Sequence, residues 1–208
     1  MAPDRLVQSA TEAQAAADEL DGPVVLKIAS ADIQHKSDLG GVITGLRPGS
    51  DISDAYEAIM TNVIEARPDA AIDGVLVSPM IEGGTETILG VSHDPVFGPV
   101  VMFGLGGVFV EIMDDTALGI APFGLDKART MIHETRGAAV LKGARGGRPA
   151  DIDALAQAIA RLSVFAHANS NIISSIDINP LIVLPQGQGV VAVDGLILQQ
   201  PETGEHHG

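Results

Sequence analysis

Two hydrophobic periods alternate along the chain. "SATEAQAAADEL", residues 9–20, sets small apolar residues at helical spacing behind Ser9 and Glu12, which stand at capping-box separation, and predicts a helix. "GPVVLKIAS" is a short, nearly continuous apolar run rich in β-branched residues and predicts a buried strand. "GGVITGL" predicts the strand that follows it, and "DISDAYEAIMTNVIEARP" a helix that stops at Pro68. "AIDGVLVSPMI" and "TETILGVSHD" read as strands around the turn "EGG", and "GPVVMFGLGGVFVEIM" continues the strand-rich section. "LDKARTMIHE" and "DIDALAQAIARLSVFAHA" predict amphipathic helices, and "SSIDINPLIVL" and "GVVAVDGLIL" a closing pair of strands. This mixture of helices and strands is an α/β (α+β) pattern. No internal repeat and no low-complexity linker interrupts it.

Composition narrows the chemistry. A formal charge of −15 repels nucleic acid and anionic membranes, so an anionic ligand has to meet a local concentration of few cations. There are no cysteines, which removes disulfides and thiolate metal sites. The opening residues lack a signal-peptide pattern, and no apolar run has membrane-spanning length, so a cytoplasmic location is expected.

Three places carry candidate chemistry. Lys27 interrupts an apolar strand, where an uncompensated ammonium costs several kcal/mol. It is either a snorkelling edge-strand lysine, the partner of a core carboxylate, or a cation aimed at phosphate. "SADIQHKSDLGGV", residues 30–42, places His35 and Lys36 side by side on a loop ended by Gly40 and Gly41. The third is the closing hairpin. If Leu184 and Gly189 close the turn "PQGQ", counting five residues outwards on each strand sets Asn179 opposite Asp194, with Asp177 on the same face. Opposed side chains have Cβ atoms roughly 5 Å apart, and a carboxylate with a carboxamide oxygen suits Mg²⁺ held against phosphates. The alternative is a polar pair facing solvent, which the apolar flanks and Pro180 disfavour. The glycine clusters at 40–41, 83–84, 104–107 and 146–147 form neither a Walker loop nor a G-x-G-x-x-G fingerprint. Arg145, in "LKGARGG", is one of few arginines free to meet an anion, while His93, His133 and His167 are scattered and read as surface or satisfied histidines.

Taken together, "PVVLKIASADIQHKSDLGGV", "GVLVSPMIEGGTETILGVSHDPVFGPVVMFGLGGVFVEIMDD", "LKGARGG" and "DINPLIV…VAVDGLI" resemble, in order, a known family. It is the ATP-grasp domain of ADP-forming (NDP-forming) acyl-CoA synthetases, the acetate–CoA ligase beta subunit, related to the succinyl-CoA synthetase beta subunit. The resemblance runs from about residue 9 to 198 and implies an ATP-grasp fold whose two lobes, roughly 1–77 and 78–208, clamp a nucleotide. It implies ATP or ADP with Mg²⁺ as cofactors. Lys27 would contact phosphates, and Lys36, Gly40 and Gly41 would cover them. The backbone of Val77, Ser78, Pro79 and Met80 would read the base, Glu86 would lie near ribose or phosphate, and Asn179 and Asp194 would hold the metal. His35 matches the family's loop histidine, a phosphoryl carrier between a partner's catalytic histidine and ADP. The coenzyme A-binding and ligase domains are not in this sequence, so the resemblance implies a partner subunit or domain and no complete reaction without it. Two other functions are weighed: a regulatory nucleotide-binding module associated with a protein lysine acetyltransferase, and an interaction subunit that needs no nucleotide. Retention of His35 together with Asn179 and Asp194 favours the catalytic part.

Overall fold

A computed structural model describes residues 4–33, 35–47, 49, 51–106, 115–144 and 147–200. Arg145, Gly107 and Gly146 of the glycine clusters, and the tail from Pro201, lie outside the described residues. The chain divides into two compact units, Ala2–Glu82 and Gly83–Gly208.

The first unit contains β1 (Arg5–Val7), α1 (Ala10–Asp18), β2 (Val24–Ala29), β3 (Val42–Leu46), α2 (Ile52–Ala66) and β4 (Gly74–Pro79). Its four-stranded antiparallel sheet has the order β1-β4-β2-β3. α1 begins at the predicted cap, where Ser9 Oγ accepts the Glu12 amide at 3.2 Å, while the Glu12 carboxylate takes the amide one residue before the cap, that of Gln8, at 2.8 Å. The buried alanines 13, 16 and 17 join Ile52, Tyr56, Ile59 and Val63 of α2 and Leu26, Ile28, Val75 and Val77 of the sheet in one core. Burying each large aliphatic side chain there contributes about 1.5–3 kcal/mol. The expected change of lobe between Val77 and Ser78 falls inside β4. The observed division lies after Glu82, because β4 pairs along its length within the first sheet.

The second unit contains β5 (Thr85–Asp94), β6 (Gly98–Leu105), β7 (Thr116–Ile120), α3 (Leu125–Glu134), α4 (Ala138–Leu141), α5 (Ile152–Ala168), β8 (Ile173–Val183), β9 (Val190–Ala192) and β10 (Gly195–Gln199). The strands form an antiparallel sheet, β10-β8-β5-β6-β7, with β9 also paired to β8. Leu89, Val91, Val101, Phe103 and Ile176 bury one face in a core shared with Met131 and Ile132 of α3 and Leu155 and Ile159 of α5. By strand alternation Gly90, Met102, Asp177 and Leu196 line the other face, in one cross-strand row. Among the described residues no helix is long and apolar enough to cross a membrane.

Candidate functional site

The closing hairpin has the predicted pairing. Leu184 donates its amide to the Gly189 carbonyl at 3.0 Å, and Leu181, Ile182 and Val183 face Ala192, Val191 and Val190. The count continues outwards: the Asn179 amide donates to the Asp194 carbonyl at 3.2 Å and the Val193 amide to the Pro180 carbonyl at 3.0 Å. Asn179 and Asp194 are therefore cross-strand neighbours. Asp177 and Asn179 are exposed on β8, alternating with the buried or half-buried Ile176 and Ile178. One Asp194 carboxylate oxygen accepts the Gly195 amide at 2.9 Å, which orients the group.

Pro180 fits into β8 because the ladder is irregular there. On the β5 side, Thr87 pairs with Leu181 and Leu89 with Ile178, so Asn179 and Pro180 together oppose Ile88. Such a bulge tolerates a residue with no amide to donate and re-aims its neighbour's side chain. The fully buried Thr87 hydroxyl donates to the Leu181 carbonyl at 2.7 Å beside it. The turn itself is held by Asp151. One of its oxygens accepts the Ala154 amide at 3.1 Å as the cap of α5, and the other accepts Gly187 and Gly189 at 3.0 and 2.9 Å. The Ala154 and Gly189 amides are the main influences that lower its carboxyl below the usual range; burial works against them, and Gly187 adds to them.

As a metal site this pair fits Mg²⁺ only in part. Its donors are hard oxygens, as that ion requires, but among the described residues no group of three or more histidine or acidic side chains is gathered to hold a cation. Further ligands have to come from phosphate and water.

Lys27 lies at the centre of the first sheet, facing Leu76 of β4 on one side and Val42 of β3 on the other, and is only 7% exposed. The edge-strand reading is thereby removed. The loop with His35 is anchored on both sides. Ser30 Oγ donates to the Ala71 carbonyl at 2.7 Å, the Asp32 carboxylate accepts the Ala71 amide at 2.7 Å, and Ile33 is buried in the first core. Beyond His35, Ser37–Leu39 form a 3₁₀ turn closed by Gly40 in the left-handed region, and the Gly41 amide donates to the Lys36 carbonyl at 2.9 Å. The two glycines are there for fit. A Cβ on Gly40 would stand 2.7 Å from Asn62 Nδ2, and one on Gly41 2.7 Å from Ile28 Cγ2. His35 itself is exposed.

In the segment Val77–Met80, expected to read the base through its backbone, several groups already have partners. Val77 pairs with Arg5 and Leu26 inside the sheet, Ser78 is 2% exposed, Pro79 has no amide, and the Met80 amide donates to the Pro23 carbonyl at 2.8 Å. The next backbone donor along the chain is Ile81. Glu86, on β5 opposite Ile182, is exposed, and its carbonyl accepts the Gly106 amide at 2.8 Å.

The chain matches the ATP-grasp domain family over residues 1–198. The chain belongs to that family. It is 40% identical over 195 residues to the beta subunit of acetate–CoA ligase [ADP-forming] II of Pyrococcus furiosus, covering 94% of this chain and 83% of that one. It is also 40% identical over 191 residues to acetate–CoA ligase [ADP-forming] I of Archaeoglobus fulgidus, covering 92% of this chain but only 28% of the longer protein. Acetyl-coenzyme A synthetase 1 of Ca. Korarchaeum cryptofilum, solved with coenzyme A, Ca-AMPCP and HgCl+, superposes with a TM-score of 0.89 at 40% identity, over 96% of this chain and 86% of that one. The same synthetase, solved with coenzyme A and Mg-AMPPCP, has its phosphohistidine segment pointing towards the nucleotide binding site, and superposes with a TM-score of 0.78 at 37% identity, over 96% and 85%. This ATP-grasp chain thus corresponds to the beta-subunit part of ADP-forming acid–CoA ligases. It spans most of the Pyrococcus beta subunit but under a third of the longer Archaeoglobus protein.

Proposed function

We propose that this chain is the nucleotide-binding and phosphoryl-transfer part of an ADP-forming acid–CoA ligase, in the overall reaction acid + ATP + CoA ⇌ acyl-CoA + ADP + phosphate. A coenzyme A-binding partner subunit or domain completes the reaction. The observation that carries this reading is the opposition of Asn179 and Asp194 on a strand face that also exposes Asp177. Such a set of hard oxygens, short of a full shell, is what a Mg²⁺ completed by nucleotide phosphates requires. When bound, that ion would neutralise phosphate oxygens. Lys27 supplies a fixed positive charge to the phosphates from the centre of its sheet, and Lys36, Gly40 and Gly41 cover them. The backbone of Val77–Met80, continued by the Ile81 amide, reads the base, and Glu86 lies near ribose or phosphate.

His35 is the nucleophile of this reading. An unprotonated imidazole nitrogen attacks the γ-phosphorus, the N–P bond forms, and the bridging P–O bond to ADP breaks with its electron pair left on the β-phosphate. In the reverse direction the same group returns the phosphoryl to ADP, so one exposed side chain serves both directions. The test is acid-labile, base-stable labelling of the chain from γ-labelled ATP, with and without the partner. Label is expected on wild type and absent from His35→Ala. Label that survives the substitution refutes the carrier role, leaving the loop a cover for the phosphates.

A further inference from the structure

The base-reading segment is pinned from a direction that the reaction does not explain. Ser78 is 2% exposed, and its Oγ donates to Asp4 Oδ1 at 2.6 Å, a short charge-assisted bond. Asp4 stands immediately before β1, the edge strand of the first sheet, where Arg5 pairs with Val77. Arg5 in turn holds Glu19, just past α1, at 2.7 Å. Two residues further on, the Met80 amide is taken by the Pro23 carbonyl. The stretch from Ser78 to Met80 is thus fixed by the pairing of Ser78 and Pro79 with Val25 and Val24 of β2, by the Ser78 side chain and by the Met80 amide, with Pro79 stiffening the middle.

We propose that Asp4 is a positioning residue which, through Ser78, sets the direction of the Ile81 amide and with it the preference for adenine over guanine. The inference rests on the reading that this segment holds the base. Adenine offers an unprotonated N1 to a backbone amide, whereas guanine offers a protonated N1. A rigidly placed amide therefore favours adenine, and a loosened segment can present a carbonyl instead. A site built to hydrogen-bond one partner rejects the analogue that leaves its donor unpaired. Preorganisation of that donor is the contribution of the Asp4–Ser78 bond.

The test is calorimetry on the full chain with three probes in the presence of Mg²⁺: ADP, GDP and inorganic tripolyphosphate, which has no base. Wild type is expected to bind ADP more tightly than GDP. Ser78→Ala leaves Asp4 solvated and changes little volume, and it should cut the ADP-over-GDP ratio by about tenfold, with tripolyphosphate affinity within about twofold of wild type. Asp4→Ala should act alike, and Ser78→Thr, which keeps the hydroxyl, should recover the ratio. An unchanged ratio in both alanine variants overturns the proposal, as does an equal loss for tripolyphosphate, which marks general destabilisation. Wild type that binds ADP and GDP with equal affinity refutes the base-reading assignment itself and the proposal with it.

Discussion

The connection between β2 and β3 runs from residue 30 to 41, that between β8 and β9 only from 184 to 189. The long one is held by partners distant in sequence: Ala71 for Ser30 and Asp32, Asn62 against Gly40, and the first core for Ile33. The short one closes on itself through Leu184 and Gly189, and its ties outside the hairpin converge on one short stretch: the Pro149 carbonyl takes the Gln186 amide, the Asp151 amide goes to the Leu184 carbonyl, and the Asp151 carboxylate takes Gly187 and Gly189. In the short turn, pairing passes straight from closure to site, so Asn179 meets Asp194 by counting. In the long one, where His35 stands depends on contacts that no local count reveals. One hairpin is governed by register and the other by tertiary anchoring.

The comparison breaks most visibly at Asp194. Asp194→Ala should remove the Mg²⁺-dependent part of ADP binding, a loss of about 100-fold or more, since even residues that merely support metal ligands cost 10–100-fold. Thermal stability should hardly move, because the side chain is only half-buried. Asn179→Ala should follow with a smaller loss, as it removes a neutral ligand. Calorimetry with and without Mg²⁺ checks both, and wild-type affinity in the two variants would end the metal assignment.

Glycines sharpen the contrast at intermediate size. Gly41→Ala sets a Cβ against Ile28 Cγ2 and 2.8 Å from the Lys36 carbonyl oxygen, and such overpacking costs about 1–3 kcal/mol. Gly187 has open space around it but a φ of +83°, so Gly187→Ala costs about 1–2 kcal/mol for conformation alone. Asparagine separates the two causes in a thermal denaturation series. Gly187→Asn should regain part of the loss, because asparagine tolerates the left-handed region, while Gly41→Asn should be worse than Gly41→Ala. Equal behaviour at both sites would erase the distinction.

The smallest effect concerns pH. Asp151 has its folded value lowered, so its contribution is present above the unfolded value of about 4 and is lost as pH falls through the folded one. Asp151→Ala should cost about 0.5–2 kcal/mol near neutrality, the usual range for a lost helix cap. The gap from wild type should narrow below about pH 4. A gap that stays constant down to pH 2 would mean the carboxylate charge contributes nothing.

Much of the second unit's site was readable because a strand's period and a closed turn determine which side chains face each other. Lys27 was readable as an anomaly but not as a central-strand residue, since that depends on β3 and β4 flanking it. β7 escaped pattern reading for a specific reason. In "TALGI" the small Ala117 and Gly119 face the core while Leu118 and Ile120 are exposed, the reverse of ordinary alternation. Met131 Sδ and the Phe123 ring fill the space beside Gly119, which shows why no larger residue stands there. β1 is too short to announce itself and exists through its pairing with β4. The Met80 amide could not be recognised as occupied, because its acceptor, Pro23, belongs to a different stretch of chain. Asp115 is likewise silent in sequence, yet its buried carboxylate accepts the amides of Arg136 and Gly137 at 2.8 and 2.7 Å.

Asp151 also has a bearing on motion. The same carboxylate satisfies the first turn of α5 and the turn between β8 and β9. Neither can open fully while the other stays closed without leaving Asp151 short of partners. Local unfolding at the start of α5 and fluctuation of the hairpin turn are therefore one cooperative event, with the helix lending its stability to the strands that carry Asn179 and Asp194.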